Sequence, residues 1–184
     1  MDQRLVRVSK FLSQVLRHNP GKIGLTLDPQ GWADVDALLE GARRGGVDLD
    51  RETMLRVVAE NDKQRFALSE DGRRIRASQG HSVTVDLALE PQTPPEALYH
   101  GTATRFLGSI VREGLRRGSR QHVHLSADHA TAVRVGRRHG EPVVLLVRAG
   151  AMAADGHRFY RSANGVWLAD HVPPAYLERS PSAE

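Results

Sequence analysis

The residues from Gly118 to Ser126 form the part of this sequence that is richest in groups able to do chemistry. From His122 onward polar and apolar residues alternate, which is the period of a half-buried β-strand. That period places His122, His124 and Ser126 on one face, with Arg120 on the same parity at the start of the strand. A guanidinium, two imidazoles and a hydroxyl on one face suit an anionic ligand. An edge strand with polar residues facing water produces the same pattern.

A second pair of candidates, Arg17 and His18, lies at the end of a predicted helix. Apolar residues recur at steps of three and four between Gln3 and Arg17, and Asn19-Pro20-Gly21 predicts where the helix ends. Two cations at this position either bind an anionic ligand or interact with the negative end of the helix dipole. The local pattern does not choose between these interpretations.

Composition sets wide bounds on fold and partners. The chain has 184 residues, with 40% hydrophobic and 26% charged residues, which is ordinary for a soluble globular protein. No apolar run reaches the length of a membrane span and the first residues do not resemble a signal peptide, so we expect a cytoplasmic protein without a membrane partner. The absence of cysteine excludes disulfides and thiolate metal sites. Oligomeric state is not readable, and a monomer is the default expectation.

The charge of the chain favours a polyanionic partner. The net charge is +4 with a pI near 9.9, and only three of the 26 basic residues are lysines. Arginine offers phosphate a planar fork of donors where lysine offers a point charge. A GC-rich genome produces the same preference for arginine, so charge alone does not decide the function.

The first half of the chain predicts a winged-helix lobe over residues 1–90. After the first helix, Asp34 and Asp50 are typical helix N-caps, and each precedes an amphipathic segment. Arg65–Ser69 and Arg74–Ala77 then predict a β-hairpin around a Glu-Asp-Gly turn. Three short helices followed by a hairpin are common in nucleic-acid-binding domains, although many such domains bind protein only.

The second half predicts a mixed β lobe with inserted helices over residues 96–184, so the whole chain is expected to be α+β. An alternating strand at Val83–Leu89 precedes a proline-rich linker at Pro91–Pro95. Beyond the linker, the pattern predicts strands at Ala97–His100, Val143–Val147, Arg158–Tyr160 and Val166–Leu168, and helices at about Thr104–Glu113 and from the cap Asp128 to Gly140.

Several familiar site motifs are absent. The sequence contains no Gly-x-Gly-x-x-Gly, no Walker A motif, no His-Glu-x-x-His and no Gly-x-Ser-x-Gly. His122 and His124 are spaced to chelate a metal from one strand, but no carboxylate is placed to join them. We therefore expect no metal site.

Seven short blocks, taken in order, resemble the RNA 2′-phosphotransferase family, often called tRNA 2′-phosphotransferase. Each block is weak alone, but their shared order extends the resemblance from about Leu5 to Leu177. The blocks are Leu16-Arg-His18, Asp62-Lys-Gln-Arg-Phe66, Ile75-Arg-Ala-Ser-Gln-Gly-His-Ser82, Tyr99-His-Gly-Thr102, Arg120-Gln-His-Val-His-Leu-Ser126, Val135-Gly136 with His139-Gly140, and Asn164-Gly-Val-Trp-Leu168.

The resemblance implies a winged-helix RNA-binding lobe followed by an NAD-binding lobe related to ADP-ribosyltransferases. It implies removal of an internal RNA 2′-monophosphate with NAD as a consumed co-substrate. The phosphate attacks C1″ of the nicotinamide ribose and expels nicotinamide, and the ribose 2″-OH then attacks that phosphorus. The products are RNA with a free 2′-OH and ADP-ribose 1″,2″-cyclic phosphate.

The resemblance also implies roles for individual residues. The catalytic set is Arg17, His18, Arg65 and Arg120, and the cofactor-binding set is His100, Gly101, Thr102 and Ser126. Gln79 and His81 are expected to contact the RNA or its phosphate. A phosphate nucleophile is already anionic, so such a site needs fixed cations more than a deprotonating carboxylate.

Two points remain open at this stage. His18 either donates a proton to the departing RNA 2′-oxygen or only hydrogen-bonds the phosphate. Gly101 either lets the backbone approach the ligand or ends a strand in a turn. Rival functions are an ADP-ribosyltransferase acting on terminal phosphates of nucleic acids, and a winged-helix regulator that binds NAD or ADP-ribose without turnover. The complete set of cations argues against the regulator.

Overall fold

The structure is a computed structural model that describes residues 3–180. The chain forms two compact units, which meet in sequence at Ala88 and Leu89. The described residues contain six α-helices and several small antiparallel sheets. This confirms the mixed class of the fold, whereas the winged-helix and ADP-ribosyltransferase-like assignments stay predictions.

The first unit packs three helices against a three-stranded sheet. Helix α1 buries the apolar residues spaced at three and four, among them Leu5, Leu12 and Leu16. The side chains of Asp34 and Asp50 cap the next two helices, each accepting a backbone N–H three residues later. Its elements are α1 (Gln3–Arg17), a 3₁₀ turn (Pro20–Ile23), β1 (Ala33–Asp34), α2 (Val35–Arg44), α3 (Arg51–Ala59), β2 (Phe66–Leu68) and β3 (Arg74–Ala77), and the sheet order is β1-β3-β2.

The strand predicted at Val83–Leu89 is wrong. The segment has no strand assignment, although buried Val85 lies between exposed neighbours as the alternation required. Its polar backbone groups bond to loops, since the Asp86 N–H donates to the Pro29 carbonyl at 2.8 Å. Ala88 takes a left-handed conformation with φ 51° and donates its N–H to the Asp86 side chain, so the chain turns out of the extended path. The alternation therefore reflects the burial of Val85 and not pairing in a sheet.

The second unit is built mainly from strands. Strand β4 lies beside the buried strand β7 in one three-stranded sheet, and β6 lies beside β9 in another. The elements are β4 (Leu98–Ala103), a 3₁₀ turn (Thr104–Phe106), α4 (Leu107–Glu113), β5 (Leu115–Arg116), β6 (Val123–Leu125), α5 (His129–Gly136), a 3₁₀ turn (Arg137–His139), β7 (Pro142–Val147), α6 (Ala149–Ala154), β8 (Phe159–Arg161), β9 (Trp167–Ala169), β10 (His171–Val172), a 3₁₀ turn (Pro174–Tyr176) and β11 (Leu177–Arg179). The sheet orders are β11-β7-β4, β6-β9-β8 and β10-β5.

Two details of this unit differ from the sequence prediction. The segment Pro91–Pro95 packs on the second unit instead of forming a free linker, because Pro94 is buried and the Gln92 N–H donates to the Phe159 carbonyl at 2.8 Å. Strand β4 continues through Ala103, whereas the prediction ended it at His100. Gly101 and Thr102 are therefore strand residues and do not belong to a turn after it.

Candidate functional site

In the first unit, Arg17 and His18 lie where α1 ends, and the loop after β3 is fastened to them. The Ser82 N–H donates to the Arg17 carbonyl at 2.9 Å, which ties the loop to the helix end. The Ser82 hydroxyl lies 2.9 Å from His18 Nδ1 and 3.5 Å from the Arg17 carbonyl, which can only accept. The simplest proton assignment has Nδ1–H of His18 donating to the Ser82 hydroxyl, which in turn donates to the Arg17 carbonyl.

Arg65 is positioned by a strained turn that precedes β2. Gln64 has φ 42°, a left-handed value that is uncommon for a residue with a side chain. The turn is held on both sides: the Ser78 hydroxyl donates to the Gln64 carbonyl at 2.8 Å, and the Ser78 N–H donates to the Arg65 carbonyl at 2.9 Å. Arg65 donates a guanidinium N–H to Asn61 Oδ1 at 3.3 Å, so its direction is fixed by a neutral group.

His81 lies beneath this cationic group, not on the surface. Its side chain is 1% exposed, and neither ring nitrogen has a hydrogen-bond partner in the described residues. Burial, with the nearby charges of Arg17, His18 and Arg76, lowers the pKa of His81 to about 4. His81 is therefore neutral at physiological pH. Gln79 is half-buried and its side-chain oxygen is buried.

In the second unit, Arg120, His124 and His100 form a connected chain. The Arg120 guanidinium can only donate, so its 3.0 Å contact makes His124 Nδ1 an acceptor. The His124 carbonyl lies 3.0 Å from His100 Nδ1 and can only accept, so Nδ1 of His100 carries the proton. Neutral His100 then presents Nε2 as an acceptor. Burial lowers the pKa of His100, which keeps the ring neutral, although the bond to the carbonyl opposes this shift.

Ser126 and Thr102 are brought close to this chain by strand pairing. Ser126 and Tyr99 exchange backbone hydrogen bonds at 2.7 and 2.9 Å in an isolated bridge, which joins β6 to β4. Within β4, His100 and Thr102 share one face because side chains alternate along a strand. Ser126 and His100 are half-buried, while Thr102 is only 5% exposed.

The structure gives Gly101 a packing role that the sequence did not suggest. A Cβ built on Gly101 would lie 1.7 Å from the Ala132 carbonyl oxygen and 2.8 Å from the Gly136 nitrogen, both in α5. A Cβ on Gly136 would lie 2.7 Å from the Thr102 carbonyl oxygen. The two glycines therefore let α5 lie directly on β4. A ligand contact by the Gly101 backbone stays a prediction.

The alternation of polar and apolar residues predicted from His122 to Ser126 is confirmed. Val123 and Leu125 are buried, whereas His122, His124 and Ser126 are half-buried. His122 Nε2 lies 3.9 Å from Asp170 Oδ1, which is too long for a hydrogen bond.

Residues 3–180 contain no group of three or more histidine or acidic side chains arranged to hold a metal. In the same part of the chain, no helix is both long and apolar enough to cross a membrane.

Three residues that position the predicted site were not among those given a role by the family resemblance. Ser82 contacts His18, Asn61 contacts Arg65, and His124 links Arg120 to His100. Ser82 and His124 stand inside the recognised blocks, so their positions were the available signal. Asn61 precedes its block by one residue and offered no separate signal.

Comparisons with known proteins agree over nearly the whole chain. Residues 3–171 match the family described as RNA 2'-phosphotransferase, Tpt1 / KptA family. A protein of Agrobacterium fabrum, named probable RNA 2'-phosphotransferase, is 66% identical over 92% of this chain and 91% of its own length. Proteins of the same name from Hahella chejuensis and Pseudomonas aeruginosa are 60% and 57% identical, covering 96% and 98% of this chain and 95% and 100% of their own lengths. With a match of this extent, the chain belongs to the RNA 2'-phosphotransferase family.

Proposed function

We propose that this protein is an NAD-dependent RNA 2′-phosphotransferase, which removes an internal 2′-monophosphate from RNA. The observation that carries the proposal is the family match over residues 3–171, which includes all the basic residues of the expected catalytic set. Within the structure, His18, Arg65 and Arg120 hydrogen-bond Ser82, Asn61 and His124 respectively, and these bonds fix their positions. Fixed charges of this kind suit a phosphate that is both nucleophile and, later, the centre under attack. In this proposal the first unit is the winged-helix RNA lobe and the second is the ADP-ribosyltransferase-like lobe.

In the first step, an oxygen of the RNA 2′-phosphate forms a bond to C1″ of the nicotinamide ribose while the bond from C1″ to nicotinamide breaks. The phosphate oxygen supplies the electron pair of the new bond, and nicotinamide leaves neutral because its ring nitrogen takes the electron pair of the bond that breaks. No proton has to move. Because no proton moves, the proposed contribution of Arg17, Arg65 and Arg120 to this step is positioning.

In the second step, the ribose 2″-hydroxyl attacks the same phosphorus and the bond from phosphorus to the RNA 2′-oxygen breaks. The hydroxyl loses a proton and the departing RNA oxygen gains one, so the products are 2′-OH RNA and ADP-ribose 1″,2″-cyclic phosphate. Negative charge builds on the phosphorus oxygens, where the arginines stabilise it. His18 is the proposed proton donor to the RNA oxygen, and it gives this proton in its imidazolium form, since a neutral ring with Nδ1–H bonded to Ser82 has no proton on Nε2.

The residues of the second unit fit a dinucleotide co-substrate. Neutral His100 offers Nε2 as an acceptor for a ribose hydroxyl, and Ser126 offers a half-buried hydroxyl close by. Thr102 is buried, so its hydroxyl would contact the ligand only from the interior side of the site. Arg120 adds the charge that a pyrophosphate or the transferred phosphate requires.

A direct test incubates a short RNA carrying one internal 2′-phosphate with the protein, with and without NAD, and resolves RNA and nucleotide products by mass spectrometry. We expect 2′-OH RNA, nicotinamide and ADP-ribose cyclic phosphate in equal amounts, and only with NAD. Release of inorganic phosphate, or turnover without NAD, would contradict the proposal. An ADP-ribosylated RNA as final product would instead support transfer to nucleic-acid phosphates.

A further inference from the structure

A groove of about 330 Å³ runs along α1 in the first unit and ends at two of the proposed catalytic residues. Helix α1 supplies most of its wall, and the remainder comes from the residue after the helix and from the turn before β2. The lining residues are Val6, Ser9, Lys10, Ser13, Gln14, His18 and Arg65.

The spacing of these residues makes the groove a continuous face of the helix. Val6, Lys10 and Ser13 recur at steps of four and three, so they lie above one another on one side of α1. From Val6 to His18 the helix rises about 18 Å at 1.5 Å per residue, which is longer than a single nucleotide. The opposite side, with Leu5, Leu12 and Leu16, is buried in the core.

The charge along this helix has one sign. Residues Gln3–Arg17 contain four basic side chains and no aspartate or glutamate, and no carboxylate lines the groove. Lys22 adds a second ammonium group, because its Nζ donates to Gln14 Oε1 at 3.1 Å. Two of the three lysines of the chain, Lys10 and Lys22, are thus at this groove. Arg4, by contrast, is turned to Asp48 at 3.3 Å and is partly neutralised.

The chemistry of the lining is that of contacts to a sugar–phosphate backbone. Most hydrogen bonds from proteins to nucleic acids go to phosphate and sugar oxygens, from basic, hydroxyl and amide side chains. Lys10, Ser13 and Gln14 supply one group of each kind in little more than one turn of helix. Val6 is 39% exposed and gives an apolar contact for a ribose or a base. No pattern of donors for a particular base edge is present in this set.

We propose that the α1 groove binds the RNA nucleotides that flank the 2′-phosphorylated one, through their backbone and independently of sequence. The proposal rests on the proposed function, since it takes His18 and Arg65 as the place of the 2′-phosphate. Lys10 binds a flanking phosphodiester, and Ser13 and Gln14 bind sugar and phosphate oxygens. The enzyme then recognises the strand around the phosphate, and a longer RNA binds better than an isolated 2′-phosphorylated dinucleotide.

The test compares Lys10→Ala with Arg7→Ala, which removes the same charge from an exposed position of the same helix outside the groove. For each we would measure kcat and KM for RNA and for NAD, with a 2′-phosphorylated octamer and with a dinucleotide. Lys10→Ala should raise the octamer KM about tenfold, as expected for loss of one charge-assisted contact. The NAD KM and the kcat at saturating RNA should stay within twofold, the dinucleotide should be affected less, and Arg7→Ala should resemble the wild type.

Other outcomes would overturn the groove assignment. Equal effects of Lys10→Ala and Arg7→Ala would mean a diffuse field of charge without a binding groove. A rise in the NAD KM would assign the groove to the co-substrate, and an unchanged octamer KM would leave it without a role in binding. If the wild type does not turn over any 2′-phosphorylated RNA, the proposed function fails. Fluorescence anisotropy with an unphosphorylated RNA octamer then tests RNA binding by the groove separately from activity. A loss of affinity in Lys10→Ala but not in Arg7→Ala supports the groove assignment, and an unchanged affinity in Lys10→Ala refutes it.

Discussion

The two units hold their site residues by different means. In the first unit the cations stand at a helix end and on a turn, and two loops fix them through Ser82, Ser78 and the strained backbone at Gln64. In the second unit the polar residues stand on or beside paired strands, where the pairing of β4 with β7 and the bridge between Tyr99 and Ser126 set their spacing. The first arrangement depends on a few local contacts, and the second depends on the packing of the whole sheet.

The two buried imidazoles show the same contrast. His100 donates to a backbone carbonyl, which fixes its tautomer and leaves one nitrogen for a ligand. His81 has no hydrogen-bond partner within residues 3–180 and lies under the cations, where burial favours its neutral form. One ring is therefore held by a hydrogen bond, while the other is held by packing alone. Substitutions confined to one of the two units can test this difference.

The largest effect on activity is expected from removing the side chains of His18 or Arg65 in the first unit. It should fall mainly on the rate of the second chemical step. In the proposed mechanism, attack on C1″ has an anionic nucleophile and needs no proton, whereas expulsion of the RNA 2′-oxygen needs a proton and charge stabilisation. A general acid contributes roughly 10²–10⁴-fold, and one donor to a developing oxyanion about 3 kcal/mol. His18→Ala and Arg65→Ala should therefore slow the second step by about a hundredfold or more and accumulate RNA heavier by one ADP-ribose.

A time course followed by mass spectrometry measures this adduct directly. Arg65→Ala is the sharper variant, because a phosphate-binding role for His18 would slow both steps. Parallel loss of both steps, with no adduct at any time, would show that these residues bind substrate and do not serve the second step.

Arg120 tests the second unit in the same assay. Arg120→Lys keeps the charge but loses the planar fork that binds two phosphate oxygens and the donor to His124. We expect turnover to fall roughly a hundredfold with unchanged thermal stability, since Arg120 is exposed. Arg117→Lys, in the same loop, is the matched control and should stay near wild type. Similar activity of both variants would remove Arg120 from the phosphate site.

Sequence reasoning succeeded where short-range physics decides the structure. The ends of α1 and the caps Asp34 and Asp50 depend on neighbours within four residues, and all were predicted. It failed at Val83–Leu89, where a regular alternation reflects the burial of Val85 and no strand pairing exists in the described residues. It also missed the packing role of Gly101, because the approach of α5 to β4 is a contact between residues distant in the sequence, which no local pattern records.

Gly101 therefore gives a third prediction, on stability. In Gly101→Ala the new methyl group meets the Ala132 carbonyl, so α5 has to move off β4. We expect a loss of about 3 kcal/mol or more in the free energy of unfolding, with weaker NAD binding as a consequence. Gly108→Ala is the control in the same unit, since a Cβ there has no neighbour within 4 Å, and a helix gains up to about 1 kcal/mol from this change. Chemical denaturation of both variants measures the difference, and equal stabilities would refute the packing role.

The smallest effect concerns His81 and appears as a dependence of stability on pH. The pKa of His81 is about 4 in the folded chain against 6.5 for an ordinary histidine, so between these values the unfolded chain binds the extra proton. The resulting stability is complete above pH 6.5 and is lost as the pH falls towards 4, by at most about 3 kcal/mol. His81→Leu cannot titrate, and it removes two ring nitrogens that have no hydrogen-bond partner within residues 3–180, so its stability at pH 7 should lie close to the wild type. Thermal melts from pH 7 to 4 should show a smaller fall in Tm for His81→Leu, and for His81→Gln if the leucine variant does not fold. A fall as steep as that of the wild type in both would mean that His81 is already charged in the folded protein, which the cations above it make unfavourable.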